Sequence, residues 1–228
     1  PGRLVTAAHL LLPLLLAASP SQLVHDAEAQ QAPSLPEGCL AQVEQLTASP
    51  LFDARDPRLR GDALVVVLEA ARRTMVFQGG KLAQADGGDG APACWPVALG
   101  VDATGEHPHG PKRRRGDRKT PHGWYRTSDK PWSGFAPAVA IHYPNAADAR
   151  AGLAAGLVSA EQASAIEAAV AADRKPSQKT RLGGEILFHG GGSPYDWTWG
   201  CVAFDDDDND AFRSFLPADK RTDVLILP

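Results

Sequence analysis

The sequence has very little net charge. Its 228 residues include 23 Lys and Arg against 27 Asp and Glu, which gives a formal net charge of −4. Binding to the phosphate backbone of nucleic acid needs clustered positive charge, so this composition gives no support for a nucleic-acid partner. The hydrophobic content of 43% is that of an ordinary globular protein. The length suits one domain with a short leader.

The sequence also lacks an unbroken hydrophobic run of the length that a membrane-spanning helix needs. The N-terminal apolar stretch, residues 4–18, follows Arg3 and is interrupted by polar residues and a proline. Residues 27–29 (Ala-Glu-Ala) form an A-x-A cleavage pattern before Gln30. We therefore expect residues 1–29 to be a signal peptide and the protein to be exported, with an uncleaved anchor as the alternative. Cys39 lies too far along the chain for a lipoprotein site.

No metal-binding pattern is present either. His107 and His109 lie in a Gly/Pro loop without a fixed acidic or thiol partner. The acidic residues 205–210 lack the Gly and Glu spacing of an EF-hand loop. We interpret them as a solvated cap at a helix N-terminus, and the basic run at residues 112–115 as a solvated loop. The sequence predicts no metal site and no cofactor.

Short β-branched runs separated by Gly and Pro turns predict a mostly β fold, a sandwich or barrel. Residues 146–173 break this pattern, because apolar residues there recur at helical spacing. Gly156 and Ser159 divide the segment, and Ser159 with Gln162 forms a capping-box pattern. This predicts a helical hairpin inserted between strands, either as a packing cover for the sheet or as a wall of a cleft. The predicted strands are residues 62–69, 74–78, 81–84, 94–101, 123–127, 138–142, 185–188 and 223–227.

A histidine and a cysteine stand out at the end of one predicted strand. His189 ends the strand and is followed by three glycines, and Cys201 comes a dozen residues later behind Gly200. Thiol chemistry needs such a pair, a base that removes the proton and a thiolate that attacks a carbonyl. The glycines allow positive φ angles and a close approach of the backbone to a substrate. The alternative is a buried cysteine and a hydrogen-bonded histidine without catalytic roles.

Three motifs resemble, in the expected order, those of the YkuD family, the L,D-transpeptidases of bacterial cell walls. Residues 189–201 resemble the family signature, in which His-Gly is followed by a variable loop and Ser/Thr-x-Gly-Cys. Residues 119–125 (Lys-Thr-Pro-His-Gly-Trp-Tyr) resemble K-T-P-x-G-x-Y, and residues 143–145 (Tyr-Pro-Asn) resemble Y-P-N. The resemblance implies a YkuD-like catalytic domain over residues 62–228, preceded by a linker and short helix over residues 30–61.

The resemblance implies a role for each residue of the signature. Cys201 would be the nucleophile and His189 its base, and Gly190 would orient the imidazole through its carbonyl. Backbone N–H groups of Gly200 and Cys201 would stabilise the oxyanion. We expect the substrate cleft to include Tyr143, Gly191, Trp197, Thr198 and Trp199. For the two tryptophans, simple packing is the alternative.

The implied reaction is acyl transfer through a thioester on Cys201. A carbonyl at the diaminopimelate residue of a peptidoglycan stem peptide would acylate the thiol and release the terminal D-residue. An amine acceptor would then form a cross-link, or water would hydrolyse the thioester. A carbapenem, whose strained lactam mimics the acyl donor, would inhibit the enzyme. The implied location is the periplasm or the cell wall.

One position departs from the commonest signature. That version has a histidine where this chain has Trp199, and its loop between the histidine and the cysteine is longer. Both traits resemble a smaller subgroup, some of whose members cleave peptide links to the wall. Transpeptidase and hydrolase therefore remain open, as does a wall-binding module without catalysis.

Export would also govern the three cysteines. In an oxidising compartment an odd number leaves one thiol unpaired. If Cys201 is the nucleophile, Cys39 and Cys94 can form a disulfide that ties the N-terminal segment to the domain. The alternative is two unpaired thiols.

Overall fold

The structure is a computed structural model that describes residues 2, 34–46, 49, 51–85, 90–101, 110–135 and 137–228. Every structural statement below concerns these residues. The predicted signal peptide, apart from Gly2, and the loop with His107 and His109 lie outside them. Within the described residues, no helix combines the length and the apolar character needed to cross a membrane.

Strands dominate residues 35–228, which cluster as one unit. The mostly β fold with an inserted helical hairpin is confirmed. The strands are β1 (Leu64–Leu68), β2 (Arg73–Gln78), β3 (Lys81–Leu82), β4 (Cys94–Pro96), β5 (Gly123–Lys130), β6 (Ala138–Ile141), β7 (Ile186–His189), β8 (Val202–Ala203) and β9 (Asp223–Leu227). The helices are α1 (Ala146–Ala154), α2 (Ala160–Ala171) and α3 (Asp206–Ser214), with short 3₁₀ turns at Val43–Leu46 and Pro57–Arg60.

The strands form one curled sheet in the order β3-β2-β1-β9-β5-β6-β7-β8, with β4 paired to β2. Only the β1–β9 and β7–β8 pairs are parallel. The first half of β5 pairs with β9 and its second half with β6. Residues 98 and 100, just beyond β4, form bridges with Ala203 and Thr198. These bridges connect the segment after β4 with β8 and with the turn before Cys201.

The sheet is buried on both faces around β1. Val65 and Val67 face the main core, whereas Leu64 and Val66 face a second apolar cluster. A strand that is covered on both faces needs apolar residues at every position, which explains the Leu-Val-Val-Val-Leu sequence of β1.

The described part of the segment predicted to be a linker and short helix, residues 30–61, packs on the outside of the sheet. Its buried side chains Val43, Leu46 and Leu59 belong to the second apolar cluster. A disulfide between Cys39 and Cys94, with the two Cα atoms 6.1 Å apart, fastens the segment to β4. The segment is therefore part of the folded unit and not a free linker. The oxidation state of these cysteines in exported protein stays a prediction.

The helical hairpin covers the core. Ser159 caps α2 through the capping box, since its hydroxyl accepts from Gln162 N at 3.2 Å and Gln162 Oε1 accepts from Ser159 N at 3.0 Å. Ala163 and Ile166 of α2 are buried in the main core. These contacts favour the packing-cover interpretation over the cleft-wall interpretation.

Candidate active site

The register of β7 and β8 places His189 and Cys201 on one face of the sheet. Phe188 and Val202 are partners across the two strands, and both face the main core. Successive side chains of a strand point to opposite faces, so His189 and Cys201 point outward. On that outer face Cys201 packs against Ala138, Ala140 and Leu187. The fold thus brings the two predicted catalytic side chains to one face, with His189 at the end of β7 and Cys201 directly before the neighbouring β8.

The Cys201 side chain rests as a protonated thiol. Its Sγ donates to the carbonyl oxygen of Glu185 at 3.7 Å. Part of the residue remains exposed, but burial of the thiol raises the pKa of Cys201 to about 11. A backbone hydrogen bond from Leu187 and the charges of Lys112 and Lys130 lower this pKa by smaller amounts. The raised pKa favours the protonated thiol near neutral pH, so attack on a carbonyl needs a base.

The His189 imidazole is placed to be that base. The residue is only 2% exposed, and Nδ1 lies 2.5 Å from the carbonyl oxygen of Gly190. Because a carbonyl can only accept, Nδ1 carries the proton and Nε2 carries the lone pair. Burial lowers the pKa of His189, although the hydrogen bond to Gly190 acts in the opposite direction. Among the described residues, His189 and Cys201 Sγ form no hydrogen bond with each other in this resting arrangement.

Two aromatic rings enclose the imidazole. Phe135 stacks on His189 with ring centroids 4.7 Å apart at 30°, and Trp197 meets it edge-on at 5.7 Å. Trp197 Nε1 donates to the carbonyl of Gly192 at 3.0 Å, which fixes the indole over the glycine loop. The rings supply the burial that favours neutral His189. Sequence analysis did not identify Phe135, because it lies in the β5–β6 connection far from the signature.

Two aspartates of the acidic run hold the glycine loop. Gly191 N–H donates to Asp206 Oδ1 at 2.8 Å, and Ser193 N–H donates to Asp205 Oδ1 at 2.9 Å. A Cβ atom at Gly190 would collide with the Asp206 carboxylate. Asp205 precedes α3 without a side-chain cap hydrogen bond. The run lies at the N-terminus of α3 and both residues are exposed, as predicted. In addition, Asp205 and Asp206 brace the loop after His189.

The turn before Cys201 is closed by Thr198. Its hydroxyl donates to the Cys201 carbonyl at 2.8 Å and accepts from Gly200 N–H at 3.2 Å. Gly200 has φ = +111°, and a Cβ atom there would collide with the backbone carbonyl of Lys119 in the K-T-P-x-G-x-Y segment. The Gly200 N–H, predicted to be an oxyanion donor, is thus engaged by the Thr198 hydroxyl.

The residues predicted to line the cleft differ in accessibility. Tyr143 is fully buried with its hydroxyl directed at the carbonyl of Leu182, and Thr198 is 3% exposed. Any influence of these two side chains on a substrate would be indirect. Trp197 and Gly191 border His189, whereas Trp199 is 67% exposed. The substrate-binding roles of all five residues stay predictions.

The basic run contains a buried residue that sequence analysis missed. Lys112 is 3% exposed, and its Nζ donates to Asp117 Oδ1 at 2.8 Å and to the carbonyl of Arg114 at 3.1 Å. The interpretation of the run as a solvated loop is wrong at this position. The spacing of Lys112 and Asp117 was the available signal, since a buried ammonium group requires a nearby partner.

The described residues contain no group of three or more His, Cys, Asp or Glu side chains that could hold a metal ion.

The structure allows a direct test of His189 as the base. We expect His189→Ala to lower the rate of Cys201 alkylation by iodoacetamide near pH 7, because the variant lacks the imidazole that would accept the thiol proton. General-base assistance contributes about 10²- to 10⁴-fold in enzymes, so we expect the loss in turnover to fall in that range. Rates measured from pH 6 to pH 11 should converge as the thiol ionises by itself. An unchanged rate and pH profile would assign the base to another residue.

Known proteins were compared with the chain by sequence and by structure. No curated protein sequence matches it significantly. Among solved structures, the helical cell shape determining protein Pgp2 from Campylobacter jejuni is 21% identical, with a TM-score of 0.41, and the match covers 72% of this chain and 46% of that one. Bd1075 from Bdellovibrio bacteriovorus is 20% identical, with a TM-score of 0.41, and the match covers 73% and 48%. The chain thus spans about half the length of these proteins.

A third solved structure is L,D-transpeptidase 3 from Mycobacterium tuberculosis, in complex with a faropenem-derived adduct. It is 11% identical, with a TM-score of 0.34, and the match covers 73% of this chain and 60% of that one. The family model of YkuD, described as the L,D-transpeptidase catalytic domain, matches residues 61–226. This match spans well over half of the chain, including His189 and Cys201. The chain therefore belongs to the YkuD family of L,D-transpeptidase catalytic domains.

Proposed function

We propose that the protein is an exported cysteine acyltransferase that acts on peptidoglycan stem peptides through a thioester on Cys201. The observation that carries the proposal is the pairing of β7 with β8, which turns His189 and Cys201 to the same face while Gly190 holds the imidazole tautomer. Membership of the YkuD family supports the choice of substrate class.

In the acylation step, Cys201 leaves its hydrogen bond with Glu185 by rotating its side chain toward His189. His189 Nε2 takes the thiol proton as Sγ attacks the carbonyl carbon of the diaminopimelate residue. The bond from that carbon to the nitrogen of the terminal D-residue then breaks, and the departing amine takes the proton from the imidazolium. The products are a thioester on Cys201 and a free D-amino acid.

In the second step an acceptor attacks the thioester. An amine acceptor gives its proton to His189, forms an amide and expels the thiolate, which is reprotonated by the imidazolium. Water in place of the amine gives a carboxylic acid. Since the Gly200 N–H is engaged by the Thr198 hydroxyl at 3.2 Å, we assign the oxyanion in both steps first to the Cys201 N–H, with Gly200 contributing once that bond lengthens.

Hydrolysis is the second candidate function. Trp199, which stands where the commonest signature has a second histidine, is exposed and has the Arg118 guanidinium 4.4 Å from its ring centroid. A bulky, positively flanked ring two residues before the nucleophile would hinder a large acceptor that carries positive charge more than it would hinder water. This observation favours cleavage of wall peptides by the same Cys201 and His189.

Purified protein incubated with muropeptides, followed by mass spectrometry of the products, tests the proposal. Cross-linked dimers identify a transpeptidase, and shortened monomers without dimers identify a hydrolase. Binding without turnover would contradict both and leave a wall-binding module. Export is tested separately, by locating the full-length precursor's product in cell fractions.

A carbapenem provides an independent test of thioester chemistry. Attack of Cys201 on the strained lactam carbonyl opens the ring and leaves an acyl-enzyme, since the ring nitrogen stays attached to the drug. We expect intact-mass spectrometry to detect an adduct of one drug molecule that Cys201→Ala protein does not form. No mass shift on active enzyme would mean that the cleft excludes the lactam and would favour the hydrolase.

A further inference from the structure

Two lysines converge on one glutamate beside the nucleophile. Lys130 Nζ contacts Glu185 Oε2, and Lys175 Nζ lies 3.6 Å from Glu185 Oε1. The three side chains come from different parts of the chain, the end of β5, the segment after α2 and the residue before β7. We call these three residues the lysine cluster.

The lysine cluster adjoins Cys201 through two connections. The carbonyl oxygen of Glu185 accepts a hydrogen bond from the Cys201 thiol, with 3.7 Å between the sulfur and the oxygen. Lys130 is the partner of Ala138 across the β5–β6 pair, and directly opposed residues share a face. Since Ala138 packs with Cys201 on the outer face, Lys130 lies on the face that bears the nucleophile.

The backbone of Glu185 is held in an unusual conformation that keeps this arrangement. Its φ angle is +58°, in the left-handed region that a residue with a side chain seldom adopts. The Glu185 N–H donates to Gln178 Oε1 at 2.8 Å, which fixes the peptide. One residue therefore directs its carbonyl at the thiol and its carboxylate at the two ammonium groups.

The lysine cluster carries an excess of one positive charge. In the part of the chain that the structure describes, Glu185 is the only carboxylate that pairs with either lysine. The lysine side chains are 17% and 28% exposed, and the carboxylate they share is 54% exposed. The ammonium groups are thus partly desolvated, whereas their carboxylate is open to water and can be displaced. Charges closer than about 8 Å are only partly screened at physiological salt.

We propose that Lys130 and Lys175 form a subsite for a carboxylate next to the scissile bond, in particular the free α-carboxylate of the residue released on acylation. The inference rests on the proposed acyl transfer, in which only the amide nitrogen and the α-carbon separate that carboxylate from the scissile carbonyl carbon. The bound carboxylate replaces the Glu185 carboxylate as the ion-pair partner of one of the two lysines. The subsite selects donors that end immediately after the scissile bond and disfavours amidated or extended donors.

Alkylation of Cys201 tests the charge of the subsite without requiring turnover. Iodoacetate and iodoacetamide react by the same displacement, but only iodoacetate carries a carboxylate. Both rates are proportional to the fraction of Cys201 that is ionised, so this fraction cancels when one rate is divided by the other. We expect Lys130→Met and Lys175→Met each to lower the iodoacetate-to-iodoacetamide ratio by about two- to fivefold, the effect of one charge at such distances, and Glu185→Gln to raise it.

Lys179→Met is the matched control, since Lys179 is exposed and outside the cluster. It should leave the ratio unchanged, and a melting curve of each variant checks that the fold is retained. An unchanged ratio in folded Lys130→Met/Lys175→Met protein and in Glu185→Gln protein would overturn the proposal.

A binding experiment then tests the substrate. Cys201→Ala protein is titrated by calorimetry with a stem tetrapeptide that ends in a free carboxylate and with its carboxamide. We expect tighter binding of the carboxylate, and equal binding of both in Lys130→Met/Lys175→Met protein. A carboxylate preference that survives the loss of both lysines overturns the subsite. If neither peptide binds while the alkylation ratio depends on the lysines, the stem-peptide proposal is wrong and the anion subsite stands.

Discussion

Cys201→Ser is expected to abolish turnover of stem peptides while the protein remains folded. A serine hydroxyl in the same place is a far weaker nucleophile than a thiolate, and burial, which lowers the pKa of His189, makes the imidazole a weaker base toward it. Losing the nucleophile of a covalent mechanism lowers kcat by about 10⁴-fold or more. The measurement is the rate of product formation from muropeptides by mass spectrometry.

The fold should survive this substitution because Cys201 is partly exposed and packs only on the small outer cluster. We expect the free energy of unfolding to change by less than about 1 kcal/mol. Cys201→Ala serves as the matched control for loss of the sulfur without a hydroxyl. Near-normal turnover by Cys201→Ser would exclude thiol catalysis.

Removal of the Cys39–Cys94 disulfide should give the largest change in stability. The bond closes a loop with a sequence separation of 55 residues, for which the chain-entropy model gives about 4 kcal/mol. We expect Cys39→Ala/Cys94→Ala protein to lose free energy of unfolding on that scale in urea titrations. The loss arises because the unfolded chain has more conformational entropy when residues 39 and 94 are no longer linked.

Reduced wild-type protein is the control for this experiment, since reduction breaks the disulfide without substituting either residue. It should unfold at a denaturant concentration close to that of the double variant. Non-reducing peptide mapping of exported protein establishes whether the bond is present at the start. A difference of less than about 1 kcal/mol would mean that the segment is held by its apolar contacts alone.

Much of the fold could be predicted because its signals are local. The capping box of Ser159 and Gln162 depends on residues three apart, and the apolar run of β1 depends on burial of both faces. The candidate nucleophile and base were also predictable, because a His-Gly step and a Gly-Cys step lie within one short segment. Even so, β8 was not predicted, since two residues are too few to form a pattern.

The surroundings of the site could not be predicted from the sequence. The hydrogen bonds of Asp205 and Asp206 to the glycine loop join residues 12 and 15 positions apart, with no periodic pattern to mark them. The stacking of Phe135 on His189 depends on how the β5–β6 connection folds back over β7. Such contacts arise from the tertiary arrangement and leave no trace in composition or spacing.

The position of β9 has a consequence for the order of events in folding. β9 lies between β1 and β5, and its parallel pairing joins residue 64 to residue 223. Until residues 223–227 are available, β1 to β4 and β5 to β8 have no strand to connect them at this point of the sheet. Pairings between such distant residues form slowly, because a long loop must close before the contacts can stabilise it. Acquisition of the native sheet should therefore follow synthesis of residues 223–227, and a chain without them would expose unpaired strand edges to aggregation.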